Sequence, residues 1–98
     1  RKEASSELLA EYRIAETEFA RKSLASPKLK ALAKKLNAFV YPQLRKNPLY
    51  GPNIKKLKGE LSDFWRYRVG KFRIFYSVEP GEGLVIIHDV QDRKDAYS

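Results

Sequence analysis

The spacing of apolar positions changes once along the chain, from a helical period to an alternating one, near residue 51. Before that point Leu29, Leu32, Leu36 and Val40 recur at intervals of three and four residues, which places them on one side of a helix. Beyond it, apolar and polar residues alternate, as in strands with one buried face. The pattern therefore predicts helices first and a sheet second.

The helical part is predicted to begin with a short edge strand at residues 12–15 and a helix that ends near Leu24. Ser26 and Pro27 predict the start of a second helix, because the serine side chain can cap free N–H groups and proline loses nothing at the first helical position. Pro42 lacks an N–H group and predicts a kink or break in that second helix.

Three strands fit the alternating part, at residues 64–69, 72–78 and 84–90. Residues 84–87 are apolar on both faces, so the last strand is expected to lie centrally in the sheet. Together with the N-terminal strand, these segments predict an α+β fold in the order β-α-α-β-β-β. In this fold a two-helix hairpin packs on one face of a small, mainly antiparallel four-stranded sheet.

Alternation also predicts which side chains share a sheet face. If the helices pack on the side of Trp65 and Ile74, then Arg66, Arg68 and Arg73 converge on the other side. Such arginines can be merely solvated or paired with carboxylates. Like charges opposite each other repel unless they share an anion, so three together favour a phosphate-binding site.

The composition supports a polyanionic partner. The chain of 98 residues has 20 Lys and Arg against 12 Asp and Glu, a net charge of +8, which attracts nucleic acid, anionic membrane or an acidic protein. It has no cysteine and one histidine, so neither a disulfide framework nor a zinc site of Cys and His ligands is expected. No apolar run suits a membrane span, and a cytoplasmic, metal-independent protein without a cofactor is expected.

Residues 1–10 are expected to be an extension of non-native or trimmed origin, followed by a single domain at 11–98.

Four lysines and one histidine are further candidate functional residues. His88 is expected to be a hydrogen-bonded structural residue, but its imidazole would suit acid–base chemistry if the site reaches it. The lysines are expected to hold an RNA backbone as flexible point charges, with a solubilising loop as the alternative for each. They are Lys55, Lys56, Lys58 and Lys71.

The ordered combination of KKLKG, FWRYRVGKFRIFY, an apolar strand and DRKDAY resembles the RelE/ParE superfamily of toxins from toxin–antitoxin pairs. The resemblance implies a RelE-like fold and, on the favoured RelE-like branch, a metal-independent endoribonuclease that cuts mRNA on the ribosome by attack of the ribose 2′-hydroxyl. The alternatives are a ParE-like inhibitor of DNA gyrase and a catalytically inactive member. The implied partners are a small antitoxin, the ribosome and mRNA, and operator DNA for the toxin–antitoxin complex, with no membrane.

The resemblance also implies roles for individual residues. Arg66 and Arg68 match two catalytic lysines of RelE, and Arg73 matches its phosphate-binding arginine. Arg93 is similar to a basic residue that serves as an acid or phosphate clamp, and Tyr97 to a tyrosine that orients the substrate. Arginine stays charged and is a poor general base, so proton removal needs another group. The candidates are Glu60, His88, Asp89 and the ribosomal RNA.

Overall fold

A helical layer covers one face of a five-stranded sheet in the computed structural model, which describes residues 11–92. The strands are β1 (Arg13–Glu16), β2 (Ile54–Lys56), β3 (Trp65–Val69), β4 (Phe72–Glu79) and β5 (Leu84–Asp92). The helices are α1 (Glu18–Leu24), α2 (Lys30–Lys35) and α3 (Tyr41–Lys46), with a π-helical turn at Leu36–Val40 and 3-10 turns at Pro27–Leu29, Gly59–Leu61 and Pro80–Glu82. The predicted α+β class is confirmed.

The sheet has the strand order β1-β5-β4-β3-β2, in which β1 runs parallel to β5 and the other neighbours are antiparallel. The apolar strand β5 lies between β1 and β4, as its composition predicts. The prediction of four strands is wrong, because β2 forms a fifth strand against β3, with Ile54 opposite Tyr67. Only Ile54 of the three β2 residues is apolar, so the segment shows no recognisable alternation.

The two helix starts differ in how their N–H groups are satisfied. Thr17 caps α1, since its hydroxyl accepts a hydrogen bond from Ala20 N at 3.1 Å. Ser26 makes no such bond, so the predicted serine cap is wrong, although Pro27 does occupy the first position of the 3-10 turn.

Of the kink or break predicted at Pro42, the break is wrong, since the chain remains helical from Lys30 to Lys46. A π-helical turn comes directly before α3 and takes up the irregularity that proline imposes on the hydrogen-bond ladder.

The core lies between this helical layer and the sheet. Leu36 and Leu44 from the helices, and Ile74, Tyr76 and Ile87 from the strands, have no exposed surface. Trp65 packs against the same cluster, in agreement with its predicted place on the core side. Within residues 11–92, no helix is both long enough and apolar enough to cross a lipid bilayer.

Three tyrosine hydroxyls connect secondary-structure elements around the core. Tyr41 donates to the Glu16 carboxylate at 2.6 Å, and Tyr67 donates to the Gln43 amide oxygen at 2.5 Å. Tyr76 donates to the carbonyl of Pro48 at 2.7 Å. Burial raises the pKa of both Tyr41 and Tyr76, and the hydrogen bond to Glu16 raises the pKa of Tyr41 further.

Raising the pH should therefore destabilise the fold through Tyr76. An unfolded tyrosine ionises near about pH 10, whereas burial keeps the proton on Tyr76 in the folded state. Above about pH 10 the folded state binds more protons than the unfolded state, so the free energy of unfolding falls as the pH rises toward the folded-state pKa. We expect Tyr76→Phe to cost about 1 kcal/mol near neutral pH and to show a shallower alkaline decline than the wild type.

Urea unfolding monitored by Trp65 fluorescence measures both effects. Tyr50→Phe is the matched control, because Tyr50 is 82% exposed and should leave stability and its pH dependence unchanged. Equal alkaline declines for the wild type and Tyr76→Phe would contradict the assignment.

Candidate functional site

The antiparallel register arranges side chains in rows on the open face, by which we mean the sheet face opposite the helices. Arg68 of β3 lies directly opposite Arg73 of β4, which lies opposite Gln91 of β5. Residues directly opposite each other point to the same face, with Cβ atoms about 5 Å apart. These three residues therefore form one row across three strands.

A second row crosses four strands. It lies about 7 Å from the first, because side chains on one face of a strand are two positions apart. It contains Lys55, Arg66, Phe75 and Asp89. Arg68 and Lys55 are exposed, whereas Arg66 and Arg73 are half-buried. The structure thus brings the three sequence-predicted arginines together on the open face, with Lys55 beside them.

A bulge in β5 places two consecutive polar residues on this face. Phe75 pairs with Asp89, but its neighbour Tyr76 pairs with Ile87, so His88 is the extra residue. The His88 Nε2 atom lies 2.8 Å from the hydroxyl of Ser77, and the ring of Phe64 meets the imidazole edge-on with centroids 5.0 Å apart. These contacts fit the structural role expected for His88 and place its imidazole beside the second row.

An apolar cleft of about 300 Å³ opens on the same face. Its walls are aliphatic and aromatic, and its rim carries an imidazole, a carboxylate and an amide. The lining residues are Leu57, Leu61, Phe64, Phe75, His88, Asp89 and Gln91. We call this site the rim cleft.

The carboxylate at the rim is held in place by short local hydrogen bonds. One Asp89 oxygen accepts from Val90 N at 2.7 Å, and the other accepts from Gln91 Nε2 at 2.9 Å. Glu60, the other carboxylate considered for proton removal, is exposed in the 3-10 turn beside Leu61. Among residues 11–92, no three His, Asp or Glu side chains are grouped to hold a metal ion.

The predicted backbone-binding lysines have different environments. Lys56 lies 5.2 Å from the centre of the Trp65 ring and donates to the Ser62 carbonyl at 2.6 Å. Lys71 lies over the Phe72 ring at 5.5 Å and forms an ion pair with Asp92 at 3.6 Å. Lys56 and Lys71 thus have intramolecular partners.

The other predicted site residues are Lys58, Arg93 and Tyr97. Lys58 is exposed just before the 3-10 turn at Gly59–Leu61. Arg93 and Tyr97, the two predicted site residues nearest the C-terminus, lie outside the described residues. The sequence did not predict the rim cleft, although Phe75 follows Arg73 by two residues and so lies on the same face of the strand.

Known structures with this fold define the class of protein. The toxin–antitoxin complex RelBE2 from Mycobacterium tuberculosis contains a chain with 25% identity and a TM-score of 0.69, covering 87% of this chain and 94% of that one. A chain of the archaeal RelE–RelB complex from Pyrococcus horikoshii OT3 has 24% identity and a TM-score of 0.62, with 84% of this chain and 94% of that one covered. A chain of the YoeB–YefM complex from Staphylococcus aureus has 23% identity and a TM-score of 0.62, with 84% of this chain and 97% of that one covered. The fold is that of the RelE/ParE toxins.

The family follows from the sequence match. The model of the family described as "ParE toxin of type II toxin-antitoxin system, parDE" matches residues 2–97, and the chain belongs to this family. It is a toxin of a toxin–antitoxin system, and the predicted membership of the RelE/ParE superfamily is confirmed. No curated protein matches the chain.

If the open face binds a polyanion, removing two of its exposed cations should reduce the salt dependence of RNA binding. We expect the double variant Lys55→Ala and Arg68→Ala to lower the slope of log K against log salt for single-stranded RNA by about 0.7 for each lost phosphate contact. Fluorescence anisotropy of a labelled oligonucleotide at several salt concentrations gives this slope.

The control is the double variant Lys30→Ala and Lys34→Ala, which loses the same charge from exposed positions on α2. Equal losses of slope in both double variants would show that net charge, and not the open face, governs binding.

Proposed function

We propose that this toxin is a ribosome-dependent mRNA endoribonuclease of the RelE-like branch, inhibited by a small antitoxin. The observation that carries this proposal is the placement of four cationic side chains in adjacent rows of the open face. They are Lys55, Arg66, Arg68 and Arg73. An RNA backbone laid across these rows would meet several positive charges at once.

The arginines would stabilise charge and would not remove protons. A guanidinium keeps its charge at any ordinary pH and donates paired hydrogen bonds to phosphate oxygens. Arg68 and Arg73, directly opposite each other, would hold the scissile phosphate as attack by the 2′-hydroxyl adds negative charge to it. No metal is needed for this step.

Proton transfer falls to another group on the open face. His88 suits the role, because an imidazole nitrogen can accept the 2′-hydroxyl proton and then return a proton to the departing 5′-oxygen. Its contact with Ser77 would orient the ring while the substrate lies across the neighbouring row. Arg93 and Tyr97 remain proposed contributors by resemblance.

The same surface would account for inhibition by the antitoxin. RelBE2, RelE–RelB and YoeB–YefM were each solved as toxin–antitoxin complexes. An acidic antitoxin segment laid over the open face would neutralise the cations and block RNA sterically. In the cytoplasm, the resulting complex is proposed to bind operator DNA.

The second candidate is a ParE-like inhibitor of DNA gyrase without nuclease activity. The description of the matching family, which names ParE, favours it. In a gyrase inhibitor the arginine rows would bind a partner and would not take part in a reaction. The two candidates therefore differ in whether RNA is cut.

Arg73→Ala tests the nuclease directly. Loss of one preorganised donor to a developing anion should slow cleavage of ribosome-bound mRNA by about 100-fold or more. Lys34→Ala, an exposed lysine of α2, is the control for lost charge and should cleave at the wild-type rate. The measurement is the rate of product formation on purified ribosomes programmed with a defined mRNA, after matched unfolding curves establish that both variants fold.

Cleavage by Arg73→Ala at the wild-type rate, with normal ribosome binding, would contradict the proposed role of the arginine. Inhibition of gyrase supercoiling by a wild-type protein that leaves mRNA intact would replace the first candidate with the second.

A further inference from the structure

The rim cleft borders the cationic rows so closely that a nucleotide could occupy both. Phe75 is a cleft wall and also stands between Arg66 and Asp89 in the second row. Directly opposite neighbours in a row have Cβ atoms about 5 Å apart. A phosphate on the arginines would therefore bring the attached base over Phe75.

The cleft has the size and chemistry of a base-binding site. Its volume of about 300 Å³ is at the small end of ligand pockets and suits a single base. Phe64 and Phe75 offer aromatic surface, and stacking on aromatic side chains is the usual way in which proteins bind single-stranded bases. Leu57 and Leu61 extend the apolar wall.

Asp89 is the unexpected member of this surface. A carboxylate repels an RNA backbone, so its place in a row with Lys55 and Arg66 opposes binding unless the carboxylate meets hydrogen-bond donors. An ionised carboxylate has about four acceptor sites. The bonds from Val90 N and Gln91 Nε2 fix its orientation and use one site on each oxygen.

Only one RNA base presents two adjacent donors on its Watson–Crick edge. Guanine offers N1–H and the N2 amino group side by side, which matches the two oxygens of a carboxylate. Adenine and cytosine each place a ring-nitrogen acceptor beside their amino group, and uracil flanks one N–H with two carbonyls. A carboxylate would therefore repel part of the edge of each of the other three bases.

We infer that the rim cleft is a guanine-binding subsite for single-stranded RNA, with Phe75 stacking on the base and Asp89 accepting from N1–H and N2–H. This inference rests on the proposed function and assigns base selectivity to the same face. It makes Asp89 a specificity-determining residue, a role separate from the proton transfer proposed for His88.

The test uses RNA that cannot be cut, so that binding is separated from cleavage. Labelled 2′-O-methyl hexanucleotides of otherwise identical sequence carry G, A, C or U at one central position, and anisotropy gives the affinity of the whole purified chain for each. We expect the wild type to bind the guanine oligonucleotide about tenfold more tightly than the other three.

Asp89→Asn replaces one acceptor oxygen of the carboxylate with the donor NH₂ group of an amide. An amide accepts from the adenine amino group and donates to its ring nitrogen, so this variant should lose the guanine preference and favour adenine. Glu18→Gln, an exposed acid on α1, is the matched control for charge and should keep the preference for guanine. Phe75→Leu should weaken binding of all four oligonucleotides about tenfold.

The outcomes separate the guanine subsite from the proposed nuclease activity. Equal affinities of the wild type for all four bases, or an unchanged guanine preference in Asp89→Asn, would overturn the subsite. An occupant other than a base, such as an antitoxin side chain, would give the first of these results. Base preference without cleavage on ribosomes would instead contradict the nuclease and leave the subsite standing.

Discussion

The register of the β3–β4 hairpin is the constraint on which both faces of the sheet depend. It sets Tyr67 opposite Ile74 on the core side and Arg68 opposite Arg73 on the open side. A slip of one residue would send the arginines into the core and the apolar side chains into water. The two-residue connection between Val69 and Phe72 helps to fix this register, and Gly70 provides the positive φ of 56° that such tight turns favour.

Much of this arrangement could be predicted because alternation is a two-residue rule that needs no tertiary information. It separated Trp65 and Ile74 from the arginines correctly. It failed at β2, where three residues are too few to show a period. The break predicted from the missing N–H group of Pro42 is absent, because a π-helical turn precedes the proline and the helix continues.

The bulge in β5 shows a deeper limit. Counting by twos from the buried Ile87 would send Asp89 into the core, whereas the bulge turns both His88 and Asp89 to the open face and returns Val90 to the core side. No local sequence signal marks that change, and the rim cleft depends on it. Since a shared fold does not fix function, it is these side chains, more than the scaffold, that argue for RNA chemistry in this member of the RelE/ParE superfamily.

The central claim is that single-stranded RNA lies across the open face, and amide chemical-shift mapping measures this directly. Titration of the ¹⁵N-labelled toxin with an uncleavable, guanine-containing 2′-O-methyl hexanucleotide should perturb the amides of β3, β4 and the bulged part of β5, with the largest shifts near Arg66, Phe75 and Asp89. The amide chemical shifts of α1 and α2 should not change. Shifts concentrated on the helical layer, around exposed side chains such as Phe19, would contradict the account.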